Sequence, residues 1–158
     1  MAKIPDTIKL ASFIGKAKVA IDVTGRTNFP KDFRKVLREE AAGQVVVTIA
    51  EGRTLALYPV YEWNAFILGL ESIGRSADAS KFRTRITSMA KLSVLDGQNR
   101  ITLTTEQMAY AGIGAEVTFV GDGKRVRLWA PEKFSQEIEV VSDDDEKRFE
   151  NWFYGNPP

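Results

Sequence analysis

The sequence predicts an α+β fold, mainly β, in which two similar halves share one core and each half carries short helices. A repeated turn is the first observation behind this prediction. The segment DVTGR from Asp22 to Arg26 recurs as DGQNR from Asp96 to Arg100, a shift from position 22 to position 96. In both copies turn-forming residues separate the Asp from the Arg, and alternating side chains follow. Each copy therefore predicts two short strands joined by a tight turn.

A second repeat predicts a β-hairpin in each half. Residues 46–59, VVTIAEGRTLALYP, align without gaps with residues 117–130, VTFVGDGKRVRLWA. β-Forming residues flank Glu-Gly at 51–52 in one copy and Asp-Gly at 122–123 in the other, and Asp-Gly is a strong hairpin signal. Four short strands cannot stabilise a small sheet alone, so each half needs the other as a packing partner. The repeat itself therefore predicts the shared core.

Between turn and hairpin, the first half predicts a helix that begins at Pro30 and can end at Gly43. Proline suits the first helical position, because its missing N–H has no partner to lose there. Phe33, Val36 and Leu37 form an apolar stripe at helical spacing. This helix would place its stripe on the core.

The second half predicts a shorter helix at the equivalent place. Thr104 and Gln107 have the spacing of a capping box, and Gly112 can end the helix. A further helix is predicted after each hairpin, over residues 60–70 (VYEWNAFILGL) and residues 131–137 (PEKFSQE).

Several large apolar side chains follow the two hairpins or close them. Their helical spacing, or their place at the end of a strand, is typical of core positions. An interface between subunits would use the same residues. They are Tyr58, Trp63, Phe66, Ile67, Leu70 and Trp129.

Composition excludes several functional classes. The 158 residues suit one domain or two small halves, with 44% hydrophobic and 27% charged residues. There is no Cys and no His, so disulfides, thiol catalysis, Ser-His hydrolases and the commonest metal ligands are excluded. No apolar run has the length of a membrane helix or of a secretory signal. We therefore expect a cytoplasmic protein that is not an enzyme and that needs no cofactor, metal, membrane or small-molecule substrate.

Charge is unevenly distributed although the net charge is only +1. Residues 1–90 contain 14 Lys and Arg against 9 Asp and Glu, whereas residues 91–158 contain 8 against 12. The first 38 residues have 9 basic and 3 acidic side chains. A basic cluster of this kind can follow phosphate, although a solvated surface explains it equally well.

Taken together, the motifs resemble the MraZ family of bacterial proteins. The similarity covers most of the chain, from SFIGKAKVAIDVTGR to VRLWAPEKF. The order and spacing of the pieces carry it: Phe13-x-Gly15, the DxxGR turn before Pro30, VVVTI, LALYPVYEW, the second DxxxR, AGI, and VTFVG with VRLW. Thr24 stands where the family usually has Lys, and Asn99 stands where it often has Gly.

The resemblance implies two swapped-hairpin domains of the AbrB type in one chain, assembled into a ring of identical subunits. It implies a nucleoid-associated transcriptional regulator that acts as a repressor and binds short repeats in double-stranded DNA upstream of the division and cell-wall gene cluster. We divide the chain accordingly into an N-terminal extension (1–11), a first domain (12–88), a second domain (89–136) and an acidic, aromatic tail (137–158).

Six basic residues are the candidate DNA contacts. The resemblance implies Arg26, with Arg100 as its counterpart in a more acidic stretch of sequence. Lys16 and Lys18 alternate along a strand towards the turn, and Lys31 and Arg34 share a helix face with Lys35 and Arg38. The candidates are Arg26, Lys16, Lys18, Arg100, Lys31 and Arg34, with Asp22, Gly25 and Asp96 as structural residues of the motif.

Other interpretations stay open at this point. Arg26 could instead pair with Asp22 or with Asp96 and only hold the turn in shape. The tail, with its acidic run over 143–146 followed by aromatic residues, could pack on the body, reach a neighbouring subunit or compete with DNA for basic residues. As alternatives to DNA binding we consider an antitoxin-like protein-interaction module and a structural ring.

Overall fold

A computed structural model describes residues 12–155. Eight strands form its framework, and they occupy most of the positions at which the two repeats predict strands. They are β1 (Lys16–Ala20), β2 (Arg26–Asn28), β3 (Gln44–Ala50), β4 (Thr54–Pro59), β5 (Lys91–Val94), β6 (Arg100–Thr102), β7 (Glu116–Asp122) and β8 (Arg125–Trp129). The mainly β, α+β fold class is confirmed.

Six α-helices connect or follow the strands. They are α1 (Lys31–Arg34), α2 (Val60–Glu71), α3 (Ala77–Ser88), α4 (Thr105–Ala111), α5 (Pro131–Phe134) and α6 (Asp143–Glu150). A 3-10 turn covers Glu39–Ala41, and π-helical segments cover Ser135–Glu139 and Asn151–Gly155. None of the helices in residues 12–155 is both long enough and apolar enough to cross a bilayer.

The strands form two antiparallel sheets in which the repeat copies alternate. The larger sheet has the order β1-β7-β8-β4-β3-β5, and the smaller one pairs β2 with β6. Strands β1, β3 and β4 belong to the first copy, and β5, β7 and β8 belong to the second. The pairs β1–β7, β3–β5 and β4–β8 therefore each join a strand of one copy to a strand of the other. We call the two-stranded sheet β2–β6 the ribbon.

The core lies between the ribbon and one face of the six-stranded sheet. Alternate residues of the sheet face inwards, and the fully buried Phe29 and Phe119 meet there edge to face at a centroid distance of 6.1 Å. Helices α2 and α5 cover part of the opposite face, where Tyr58 stacks on Phe66 and Trp129 packs against Phe134. Tyr58, Trp129 and Leu70 are buried, and Trp63, Phe66 and Ile67 pack against buried clusters, so their predicted core positions are confirmed.

The two hairpins differ by one residue, so the gapless alignment of the second repeat is wrong at the turn. Ala50 pairs with Thr54 across a three-residue turn, whereas Asp122 pairs with Arg125 across the two-residue turn at 123–124. In the longer turn both Gly52 and its successor have positive φ. A turn of different length shifts the register of the preceding strand by one position.

The first helix is much shorter than predicted. Pro30 precedes the helix rather than occupying its first position, and α1 ends at Arg34. Beyond it the N–H groups of Val36 and Leu37 bond three residues back, to the carbonyls of Phe33 and Arg34. The apolar stripe therefore reaches the core through tight turns, because the chain must change direction to enter β3. The capping box of Thr104 and Gln107 in α4 is confirmed.

Two helical segments have no counterpart in the sequence prediction. Helix α3 begins after Ser76, whose hydroxyl accepts a hydrogen bond from the Ala79 N–H, and buries Ile86. Helix α6 starts with a capping box between Ser142 and Asp145 and buries no side chain.

The aromatic side chains of the tail contact one another and are exposed in the single chain. We call Phe149, Trp152, Phe153 and Tyr154 the tail cluster, and more than half of each of these residues is exposed. Phe149 and Phe153 stack at a centroid distance of 5.9 Å. Of the three possibilities left open for the tail, packing of these aromatics on the body is therefore not what the structure shows. The rings stack on neighbours along their own helix and stay exposed.

Candidate nucleic-acid interface

The ribbon has one buried and one exposed face. Thr27 of β2 lies directly opposite Ile101 of β6, and both are buried, with 2% and 1% of their surface exposed. The Thr27 hydroxyl also donates to the carbonyl of Ala20 at 2.9 Å. Successive side chains of a strand point to opposite faces, so the neighbours of Thr27 and Ile101 must point outwards.

The outward face carries four polar side chains with an arginine at each of two diagonal corners. Arg26 is opposite Thr102, and Arg100 is opposite Asn28. Two residues along the ribbon and one strand spacing across it separate the two arginine Cα atoms by about 8 Å. The structure therefore brings Arg26 and Arg100 together on one surface.

The first turn is fixed by its aspartate. Asp22 Oδ1 accepts hydrogen bonds from the Thr24 N–H at 2.9 Å, the Thr24 hydroxyl at 2.6 Å and the Arg26 N–H at 3.0 Å. Gly25 has a φ of +85°, and a Cβ there would lie 2.4 Å from the carbonyl oxygen of Leu103. Glycine is required at this position, since a side chain would meet the backbone of the opposite half.

The second turn repeats this arrangement without the hydroxyl. Asp96 Oδ1 accepts from the N–H groups of Gln98 at 2.8 Å and Arg100 at 3.0 Å. Asn99 takes the place of glycine with a φ of +60°, which Asn tolerates better than most side chains. In both turns the aspartate carboxylate thus closes the turn by accepting backbone N–H groups.

Each arginine pairs with its aspartate through Nε alone. Arg26 Nε donates to Asp22 Oδ2 at 3.0 Å and to the Thr24 hydroxyl oxygen at 2.9 Å, and Arg100 Nε donates to Asp96 Oδ2 at 2.8 Å. Within residues 12–155 the terminal Nη groups of both side chains make no hydrogen bond. The ion pair that competed with DNA contact in the sequence interpretation therefore orients the guanidinium and leaves its outer edge open.

The two sites differ in exposure. The Arg26 side chain is 43% exposed and the Arg100 side chain 26%. Arg26 is thus the more accessible of the two for an external acceptor.

The carboxylates are held in the charged form. The pKa of Asp22 lies well below its usual value, mainly because the Thr24 hydroxyl and then the Arg26 N–H donate to it. The pKa of Asp96 is also lowered, chiefly by the Arg100 N–H and next by the Arg100 side chain and the Gln98 N–H. Both ion pairs therefore persist through the neutral pH range.

Lys16 and Lys18 lie on a different surface from the ribbon. In β1 the residues between and after them, Ala17 and Val19, are the more buried ones, and Val19 packs on the core that the ribbon covers. The lysines consequently point to the opposite face of the sheet. The Lys16 ammonium pairs there with Glu139 and lies 5.6 Å from the ring centroid of Phe134. The structure does not bring these two lysines together with Arg26.

The basic residues after β2 do not form one exposed helix face. Arg34 Nη1 donates to the carbonyl of Phe29 at 3.2 Å. The Lys35 ammonium lies 3.8 Å from Asp32 Oδ1. Arg38 lies beyond the helix with its guanidinium 3.8 Å from the Tyr61 ring centroid. The prediction of a shared face fails because α1 is a single turn.

Arg34 nevertheless lies at the Arg100 end of the ribbon. The Phe29 N–H donates to the carbonyl of Asn99 at 2.9 Å, which joins the start of α1 to the second turn. Lys31 is exposed on the same short helix. Through Phe29, Arg34 of the first half is therefore brought to the second turn, which carries Arg100.

Sequence reasoning missed the role of Thr24. Its hydroxyl bonds both Asp22 and Arg26, so it replaces the family's usual lysine with a residue that positions the arginine. A Thr two residues after an Asp in a turn is the signal that could have revealed it. In residues 12–155, no group of three or more acidic side chains is placed to bind a metal ion.

The fold is thus an antiparallel sheet that supports a two-stranded polar ribbon, and the paired Asp-Arg turns of this ribbon form a candidate anion-binding surface. Comparison with known proteins gives the family. The family profile described as "MraZ protein, putative antitoxin-like" matches residues 12–86. The chain belongs to the MraZ family, and the resemblance stated from its motifs is confirmed.

Curated relatives match along most of their length. A transcriptional regulator MraZ of Thermomicrobium roseum is 35% identical over 131 residues, which are 82% of this chain and 89% of the relative. One of Nitratidesulfovibrio vulgaris is 30% identical over 133 residues, which are 84% of this chain and 89% of the relative. One of Coxiella burnetii is 34% identical over 119 residues, covering 74% and 78%. Each is named a transcriptional regulator.

Proposed function

We propose that this chain is a cytoplasmic, nucleoid-associated transcriptional regulator that binds double-stranded DNA through the outer face of the ribbon. The observation that carries the proposal is the open outer edge of the Arg26 guanidinium, which Asp22 and Thr24 orient through Nε. A two-stranded ribbon fits the DNA major groove, where a guanidinium can bond O6 and N7 of guanine with two N–H groups. The same fork can hold a phosphate.

Arg100, Lys31 and Arg34 extend this surface. Arg100 repeats the geometry of Arg26 at the other corner, and the two residues of α1 lie at its end of the ribbon. We assign phosphate contact to the α1 residues, because such contacts position a protein on DNA without reading its sequence. Lys16 and Lys18 lie on the opposite face of the sheet, so they could contact DNA only if a second surface of the molecule also bound it.

The fold that presents this surface is best described as two interleaved swapped-hairpin halves, 12–88 and 89–136. Two pairings support it. In the ribbon, Thr27 lies opposite Ile101, and in the larger sheet Ala56 lies opposite Arg127. Each pair joins equivalent positions of a sequence repeat, as a twofold relation between the halves requires.

Self-association into a ring would multiply a modest site. Several ribbons on one assembly could engage adjacent repeats upstream of the division and cell-wall genes, with a gain in avidity of about 10²–10⁴. Occupation of the promoter would then repress transcription. A net charge of +1 is compatible with this, because the field that matters is local.

Fluorescence anisotropy on the gene's own upstream DNA, across a salt series, tests the proposal. Wild type should bind with a steep salt slope, about −0.9 for each neutralised phosphate. Arg26→Ala should lose binding while native mass spectrometry shows unchanged assembly, and Arg26→Lys should recover only part of it, because it keeps the charge without the fork.

Arg148→Ala provides the matched control. Like Arg26, Arg148 is exposed and paired with an aspartate in its own segment, but it lies in the tail. If the Arg26 and Arg148 variants lost the same DNA affinity, the loss would reflect the change in net charge and not a specific contact by Arg26. No binding by wild type at low salt would refute the proposed function.

A protein-interaction module is the second candidate, and the exposed tail cluster favours it. Aromatic side chains are enriched in the cores of protein interfaces. If the tail carries the function, Tyr154→Ala together with Trp152→Ala should abolish partner binding, whereas Arg26→Ala should leave it intact. A pull-down with immobilised wild-type and variant protein distinguishes the two candidates.

A further inference from the structure

Val23 is an apolar side chain at the tip of the turn that ends in Arg26. Val23 is fully exposed, at the edge of a shallow groove that Leu103 and Met108 also line. Single exposed apolar residues are ordinary on protein surfaces, and exposure alone does not make Val23 functional. The position of Val23 in the turn that also orients Arg26 is the reason to consider a function for it.

The turn holds Val23 in a fixed position. The Gly25 N–H donates to the carbonyl of Asp22 at 3.0 Å, and the Thr24 N–H donates to the carboxylate of Asp22. The same aspartate orients Arg26. Val23 and Arg26 therefore lie three residues apart in one rigid turn, so a ligand as large as a DNA duplex that meets the guanidinium can reach both side chains.

The equivalent position in the second turn has no side chain. Gly97 follows Asp96 as Val23 follows Asp22, and a Cβ built on it would meet no atom within 4 Å. Since its φ is not in the left-handed region, nothing in the backbone requires glycine there. The two corners of the ribbon thus differ in an apolar group beside otherwise similar arginines.

In the major groove, the apolar feature of base edges is the 5-methyl group of thymine, which aliphatic side chains contact. We propose that Val23 contacts a thymine methyl group beside the acceptor bound by Arg26, and that the second turn makes no such contact. This inference rests on the proposed DNA-binding function and deepens it, because the two turns would then recognise different features of the bases. A bound site would accordingly be asymmetric.

Replacing thymine by deoxyuridine in the upstream duplex removes only the methyl group and tests the inference. Anisotropy should show wild type binding the deoxyuridine duplex about three- to fivefold more weakly, the scale of one methyl group removed from an apolar contact. Substituting one thymine at a time should confine the loss to particular positions. Duplexes with 5-methylcytosine at neighbouring cytosines show whether the same methyl group is accepted from another base.

Variants at the two equivalent positions supply the controls. Val23→Ala should bind both duplexes about equally, and Val23→Thr, of similar shape but with a hydroxyl in place of one methyl group, should discriminate less than wild type. Gly97→Val adds the missing side chain where there is space for it. It should make deoxyuridine substitution costly at additional positions.

The outcomes separate the inference from the function on which it rests. Equal wild-type affinity for both duplexes, with a steep salt slope retained, overturns the role of Val23 and leaves DNA binding standing. Absence of binding to either duplex refutes both. If Val23→Ala changes the assembly in native mass spectrometry, Val23 belongs to a contact between subunits, and the inference is also overturned.

Discussion

At the residue scale, the Asp-Arg pair works as a positioning device. Asp22 uses one oxygen to close the turn and the other to hold Arg26 Nε, so a single carboxylate fixes both the backbone and the guanidinium. Ion pairs this exposed contribute little to stability. In the proposed function the pair matters because it restricts the rotamers of Arg26 before DNA binds, so that less side-chain entropy is lost on binding.

Thr24→Val tests how the hydroxyl contributes to this device. It removes the largest cause of the lowered pKa, so the Asp22 pKa should rise towards its usual value. A carboxylate with a lowered folded-state pKa adds stability above its unfolded pKa of about 4, and this stability is lost as pH falls through the folded pKa. The variant should therefore be less stable at neutral pH and lose less on acidification. Carboxyl NMR titration and urea unfolding at several pH values measure both effects.

The second turn is the internal control for that titration. Gln98 has no hydroxyl at the equivalent position, so the pKa of Asp96 should be the same in both proteins. An unchanged titration of Asp22 would contradict the assigned cause.

At the element scale, Gln107 ties α4 to β3 and to the C-terminal end of α3. It is 0% exposed, and its Nε2 donates to the carbonyls of Val47 and Met89, both at 2.9 Å. Its Oε1 accepts from the Thr104 N–H at 3.1 Å. One side chain thus completes the helix cap and joins three elements.

Gln107→Leu should destabilise the protein by about 2–4 kcal/mol, because it leaves buried polar groups without partners. Gln98→Leu changes the same residue type at an exposed turn position and should stay within about 0.5 kcal/mol of wild type. Urea unfolding at one fixed protein concentration compares the three proteins. A loss below 1 kcal/mol for Gln107→Leu would mean that water or a backbone shift replaces the amide.

At the scale of the whole molecule, the last part of the tail contributes little to the body. None of the side chains in residues 143–155 is buried, and the rings of the tail cluster stack on one another. The body, in contrast, places its core between the ribbon and the six-stranded sheet, with both repeat copies contributing to each.

Deletion of residues 143–158 should therefore leave the free energy of unfolding of the body, measured by urea unfolding, unchanged within about 0.5 kcal/mol. The comparison needs equal protein concentrations, because assembly contributes to apparent stability. A lower midpoint that depends more steeply on concentration would show that the tail cluster packs between subunits, and that the single chain leaves this surface incomplete.

The sequence by itself determined what is encoded locally. Two turns with an Asp four residues before an Arg, hairpin signals and a capping box predicted the alternation of strands and most helices, because these features depend on residues close in the chain. The motifs also carried the family resemblance. Prediction failed for the length of α1 and missed α3, because neither has a strong periodic signal that outweighs tertiary contacts.

Only the tertiary structure decided which strands of one copy pair with strands of the other. That pairing joins residues far apart in sequence, and no local pattern specifies it. It places the first-half residue Arg34 beside the second turn, puts Arg26 and Arg100 on one ribbon, and turns Lys16 to the opposite face of the sheet. The candidate site was readable as residues in the sequence, but its surface exists only because two halves, neither able to bury its strands alone, share one core.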